Sequence, residues 1–277
     1  MRIGTLGAML RELFSLRLIA SHLLVLAVAA GCVTAGMWQW ERLQQVREHN
    51  ALTEERMAAG PVQLEDLVGT DPDTEALEYR RVTAAGTFRA DEEVVQRNQS
   101  YQGNQGLYVL TPLELDDGTP VLVQRGWVPS GFDEPPLTQA PPPSGRVEVT
   151  GLLEPSVDQP GFGAQDPEDG TLQRVFHADT TRLDRQVEGE LFPMVLRLQE
   201  PAPGDGDLPL PVGDPELDEA NHFSYAMQWY SFALLALITY GAWLVRRLRR
   251  HDEPEVSAPR ETDEAPPAPS DRTAPMS

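Results

Sequence analysis

The chain is 277 residues long and sets 22 basic against 43 acidic side chains, a formal net charge of −21 that excludes a phosphate-reading nucleic-acid binder. Every basic residue is Arg, and the single cysteine, Cys32, excludes an intrachain disulfide, a CxxC redox pair and a thiolate-bound zinc site.

Residues 1–17 form a short N-terminus with Arg2, Arg11 and Arg17. From 18 to 37 the sequence is apolar apart from Ser21, His22, Thr34 and small residues. About 20 helical residues at about 1.5 Å each cross a hydrocarbon core of about 30 Å. With Trp38 and Trp40 as interfacial aromatics, residues 18–40 are predicted as a first transmembrane helix. Ala29-Ala30-Gly31-Cys32 also resembles a bacterial lipoprotein processing site. Against cleavage there, the apolar run continues to Met37, the stretch before it is long for a signal, and Ala29 stands where Leu is usual. A second span is predicted over 222–245, followed at once by Arg246, Arg247, Arg249 and Arg250. Arginines on the outer flank of both spans place both termini in the cytoplasm, with the intervening domain outside. Residues 246–277 form a Pro-rich polar tail predicted to be disordered.

The intervening residues, 41–221, hold 13 Arg and 35 Asp or Glu, a solvated acidic domain. Its first part continues the helix to about residue 57, where Gly60-Pro61 stops it. Strands are predicted at 79–88, 93–99, 107–115, 121–128, 146–153, 173–177 and 194–198, with a short helix over 180–187. Asp117-Gly118 is the best local hairpin signal, pairing the third and fourth strands antiparallel through a type I′ turn. Segments 135–145, 155–170 and 201–215, rich in Pro, Gly and Asp, are predicted loops. The expected fold is a membrane protein with two transmembrane α-helices flanking an extracytoplasmic, mainly antiparallel β (α+β) domain, barrel-like in outline.

No Ser/His/Asp set, HExxH or paired Cys/His ligands occur, so the chain is read as a non-enzyme. Gly103-Asn104-Gln105-Gly106 precedes no helix and reads as a turn rather than a phosphate cradle. The informative segment is 221–230, Asn-His-Phe-Ser-Tyr-Ala-Met-Gln-Trp-Tyr, where a histidine enters a membrane helix at its outer end. His222, Tyr225, Ala226 and Trp229 fall at i, i+3, i+4 and i+7, one helical face. Imidazole, phenol and indole together can hold a flat aromatic macrocycle, with His222 as axial ligand to haem iron. The plain alternative is interfacial anchoring, with Trp229 packed on the first span. Among the other histidines, His49 and His251 read as solvated and His177 as packed or superficial, while His22 lies inside a span where a titratable group is costly. Arg125, ending a strand beside Gly126 and Trp127, suits either a partner's carboxylate or haem propionate, or an internal salt bridge; Trp127 reads as core.

Trp38-Gln39-Trp40-Glu41-Arg42, Tyr79-Arg80-Arg81-Val82 with Gly86-Thr87-Phe88, Thr111-Pro112-Leu113, Val123-Gln124-Arg125-Gly126-Trp127-Val128-Pro129 and residues 222–229 stand in this order between two spans. Together they resemble the Surfeit locus protein 1 family of cytochrome c oxidase assembly factors, over roughly residues 18–247. The resemblance implies a factor in a bacterial plasma membrane that assists delivery of haem a to the oxidase catalytic subunit, with haem A synthase as a further partner. It implies that His222 is the haem contact, to which the helical-face reading adds Tyr225 and Trp229 and the strand-end reading adds Arg125. The long acidic loops and tail depart from the family pattern and leave a second reading open. In it the chain is a structural or docking subunit of an oxidase supercomplex, receiving a basic partner on its acidic domain.

Overall fold

A computed structural model describes residues 14–67, 72–201 and 207–251. The chain divides into two units with bounds 1–41 plus 221–277 and 42–220; the described residues of the first are mainly helical, and those of the second carry the β-sheet. The expected tail lies, from 252 on, outside the described residues, as do Arg2 and Arg11.

Helix α1 (Leu16–Ala58) is unbroken over 43 residues, as its lack of internal Pro predicts. Its rise of about 1.5 Å per residue gives a length of about 65 Å, twice what a bilayer core needs. Cys32 sits mid-helix as a free thiol. The second long helix closes the described chain and begins at His222. Both helices are long and apolar enough to cross a membrane.

The β unit is one eight-stranded mixed sheet: β1 (Val62–Gln63), β2 (Arg81–Phe88), β3 (Val94–Tyr101), β4 (Asn104–Leu115), β5 (Pro120–Pro129), β6 (Arg146–Pro155), β7 (Arg174–Val175) and β8 (Met194–Glu200). Strand order is β1-β2-β6-β8-β5-β4-β3-β7, and an extra β2–β4 pairing closes β2, β6, β8, β5 and β4 into a five-stranded ring. One edge of β4 is shared: its first half pairs with β3, and Leu113–Leu115 pairs with β2. The expected antiparallel pairing holds for β2–β6, β3–β4, β4–β5 and β6–β8. It gives way to parallel pairing at β1–β2, β3–β7 and β5–β8, so the sheet is mixed.

Period-two alternation fills the ring. Val82 and Ala84 of β2, Leu113 of β4, Val121 and Val123 of β5 and Leu196 of β8 point inward into one apolar cluster. The opposite faces are covered too. Leu110, Leu122 and Val195 pack against Val175, Leu183 and Leu191, while Val109 and Val128 pack against Leu137 and Ala140. Segments 135–145 and 173–191 are thus lids over the sheet, and β5 is buried along nearly its whole length.

Local chemistry departs from expectation in three places. The Asp117-Gly118 connection is wider than a type I′ turn: only Gly118 is left-handed (φ +89°), while Asp117 Oδ1 accepts the Thr119 N–H at 2.9 Å. The tight two-residue turn is at Gln102-Gly103, φ +49° and +81°, joining β3 to β4 across Tyr101 and Asn104. The helix predicted over 180–187 is a single turn, α3 (Thr180–Leu183), capped by Asp179, which accepts the Arg182 N–H. Another single turn, α2 (Thr74–Leu77), is capped in the same way by Asp73. Arg182 then ties down the acidic loop by donating to Pro167 O and Gly170 O at 2.6 and 2.7 Å.

Candidate functional site

Helix α4 (His222–His251) starts where the Asn221 carbonyl accepts the Tyr225 N–H at 3.0 Å. It packs on α1 through small residues: Ala226 and Ala233 are buried, and Gly36 of α1 faces the Tyr230 ring. A Cβ at position 36 would stand 2.7 to 3.0 Å from three ring carbons, so any larger residue there displaces the Tyr230 ring.

The i, i+3, i+4, i+7 face predicted for α4 divides in two. Ala226 turns fully onto α1, and His222, partly buried beside it, reaches Gln39 of α1 with Nδ1 2.8 Å from Oε1. Tyr225 and Trp229 remain 50% and 36% exposed on the flank. Trp229 meets Phe232 edge-on at 5.9 Å, and the Trp40 ring of α1 lies 6.4 Å from that of Phe223. With the Gln39 amide oxygen as acceptor, Nδ1 of His222 is the donor of this contact and Nε2 is the ring nitrogen not used in it. Among the described residues Nε2 has no hydrogen-bond partner, and it is not one of the buried unpartnered nitrogens. Metal-binding imidazoles are held in this way, one nitrogen fixed by an acceptor and the other free for the metal. Groups of three or more His, Cys, Asp or Glu able to form a metal cage are absent among the described residues.

At the opposite end of the pair, His22 of α1 meets Tyr240 of α4, Nδ1 to hydroxyl 2.6 Å, with the rings edge-to-face at 5.5 Å. The same hydroxyl lies 2.6 Å from Ser21 Oγ, which donates to Leu18 O at 2.8 Å. Gln39, Ser21 and Tyr240 are the residues that sequence reasoning did not join to the histidines. The available signal was a lone amide or hydroxyl set among apolar residues at each end of a span.

Arg125 belongs to the interior of the β unit. Its side chain is 3% exposed and its partner Glu93 is 0% exposed, joined by an Nη2–Oε2 contact of 2.6 Å. Nε donates to Thr111 Oγ1 at 2.8 Å and Nη2 also to Ala140 O at 2.8 Å, while Glu93 accepts from Thr111 and the Leu137 N–H. Burial pushes the guanidinium down from its usual range, and the Glu93 carboxylate pulls it back up. Of the two readings of Arg125, the internal salt bridge is the one formed. A cavity of about 190 Å³ lined by Phe88, Val149, Leu198, Leu208 and an edge of Arg125 lies below the roughly 300 Å³ of ordinary small-molecule sites. Trp127 is core, with its ring 5.5 Å from Tyr101 and its backbone paired to Leu210. His49 is exposed, as expected, and His177 is partly buried just past β7, with its Nδ1 enclosed and unpartnered.

A family profile described as "SURF1 family" matches residues 26–234. An uncharacterized SURF1-like protein of Mycobacterium tuberculosis is 30% identical over 247 residues, covering 87% of this chain and 88% of the relative. One from Mycobacterium bovis matches to the same extent. A SURF1-like protein of Monosiga brevicollis is 28% identical over 238 residues, 81% of this chain and 86% of the relative.

Proposed function

Since the chain belongs to the SURF1 family, known in general for cytochrome oxidase assembly factors, we propose that it is a non-enzymatic assembly factor that receives haem a and presents it to the catalytic subunit of a cytochrome c oxidase. Haem a is cargo here, taken up and given away. The observation that carries this reading is the His222–Gln39 contact at 2.8 Å, which uses one imidazole nitrogen and leaves the other for a ligand at an end of the helix pair. The residues fit such a cargo. One axial nitrogen supplies ligation, and Trp40, Phe223, Tyr225 and Trp229 supply aromatic surface beside it. Ligation through a single nitrogen suits release, because a carrier that held its cargo more tightly than the acceptor does would stall transfer. Orientation by the flanking arginines puts both termini in the cytoplasm of a bacterial cell and His222 at the extracytoplasmic surface of the plasma membrane.

The test is the haem content of the full-length protein purified from cells that make haem a. His222→Ala lowers co-purifying haem a several-fold while circular dichroism of the protein stays that of the parent; unchanged haem content removes His222 from the function. The strain lacking the protein is expected to lose the a-type band of its membranes while apo-catalytic subunit remains detectable. Retention of that band together with a dissociated supercomplex would favour the docking reading, to which the acidic middle domain lends its charge.

A further inference from the structure

Three short contacts, Ser21 to Leu18 O, Ser21 to Tyr240 and Tyr240 to His22, must be served by three hydrogens, one each from Ser21, Tyr240 and the imidazole. The Leu18 carbonyl only accepts, so Ser21 gives it the hydroxyl proton. Tyr240 must then donate to Ser21, and His22 Nδ1–H must donate to Tyr240. In this assignment Nδ1 of His22 is the donor, and Nε2 is the ring nitrogen not used by the clamp. That is the state in which Gln39 holds His222. Seventeen residues of α1 separate His22 from Gln39, about 25 Å along the helix axis, so the pair carries one imidazole at each end, each pinned through Nδ1 by the other helix.

A clamp between two helices needs a donor at position 22, and Asn, Gln or Ser would supply it. Histidine adds a second ring nitrogen, and an ionisable residue set within an apolar span is a functional candidate by default. Among the described residues Nε2 of His22 has no hydrogen-bond partner, and the residue is half-buried. Beside it Tyr240 and Trp243 stack with ring centroids 5.4 Å apart, an aromatic surface comparable to that beside His222.

We propose that His22 is a second axial-ligand site for an iron porphyrin, at the end of the helix pair opposite His222. The class of ligand rests on the reading that His222 receives haem. The site itself rests on the geometry at His22. With two such sites the helix pair can hold the same cargo at either face of a membrane.

The experiment titrates the full-length protein in detergent micelles with ferric protoporphyrin IX and measures haem retained per chain after gel filtration, with the histidine-ligated absorption spectrum alongside. The parent is expected to retain two equivalents. His22→Asn, whose amide N–H can replace Nδ1–H toward Tyr240, is expected to retain one, with helix content and thermal midpoint unchanged. Tyr240→Phe removes the clamp acceptor but keeps the imidazole, and is expected to retain two with several-fold weaker binding of the second. Retention by His22→Asn at the parent's level overturns the proposal. So does loss of an equivalent in Tyr240→Phe, which would assign the effect to helix packing. His222→Ala is expected to keep one equivalent. If it keeps the parent's full complement, the reading of His222 fails and that of His22 stands.

Discussion

The β unit and the helix pair treat their buried polar groups in opposite ways. In the β unit, Arg125, Glu93 and Thr111 bond one another and the Leu137 and Ala140 backbone, with the strongest pair almost wholly removed from water. In the helix pair, His22 and His222 each spend one nitrogen on the neighbouring helix and leave the other open. A charged residue in a suggestive motif therefore carries little functional information until its donors are traced. Arg125 is used up in building the fold, and His222 is held by the fold with its reactive atom spare.

Breaking the closed cluster should have the largest effect. Glu93→Ala leaves a buried guanidinium uncompensated, and loss of one partner of a buried pair costs about 3–5 kcal/mol. Chemical denaturation of the full-length chain in detergent should show that drop in the β-unit transition, and Glu93→Leu with Arg125→Met should recover most of it. A drop of less than about 1 kcal/mol would mean the cluster is wetter than its contacts indicate. Next in size is the helix pair. Gly36→Val puts methyl groups into the Tyr230 ring and should cost about 1–3 kcal/mol of thermal stability, less when combined with Tyr230→Ala. If the double variant loses the sum of the two single effects, the close approach at Gly36 is not what holds the helices.

The smallest effect concerns a pair intermediate between the two extremes. Glu154 is 17% exposed and 2.6 Å from Arg197; burial raises its carboxyl above the usual range, Arg197 opposes this, and Glu78 adds to it. The folded chain therefore binds this proton more readily than the unfolded chain. Its contribution to stability is greatest below the ordinary glutamate range and is lost as pH rises through the elevated folded value. Glu154→Gln should flatten the pH dependence of the thermal midpoint across that window, and an unaltered profile would show that Arg197 outweighs burial.

Much of the fold was legible. β2 to β6 and β8 follow runs of β-branched and aromatic residues, and α1 ends before Gly60-Pro61. Sheet order was not, because β8 enters between β5 and β6 through a parallel pairing that no local signal encodes. Nor was the stronger hairpin turn. Gln102 reaches φ +49° without being a usual left-handed residue, whereas Asp117 uses its carboxylate locally and stays out of that region. At the site, the helical spacing located His222 but not its partner. Gln39 is 183 positions away, and only the packing of α4 on α1 through Ala226 brings the two together.

The place of β8 sets the order in which this protein becomes foldable during synthesis. β5 and β6 are made by residue 155, yet the strand that joins them is residues 194–200, and α4 follows from residue 222. Until β8 is delivered, two long strands stand with unpaired edges, the condition under which sheets associate with the wrong partner. Only about twenty residues then separate ring closure from the second apolar helix, so folding of the domain and insertion of that helix compete for the same brief interval of elongation.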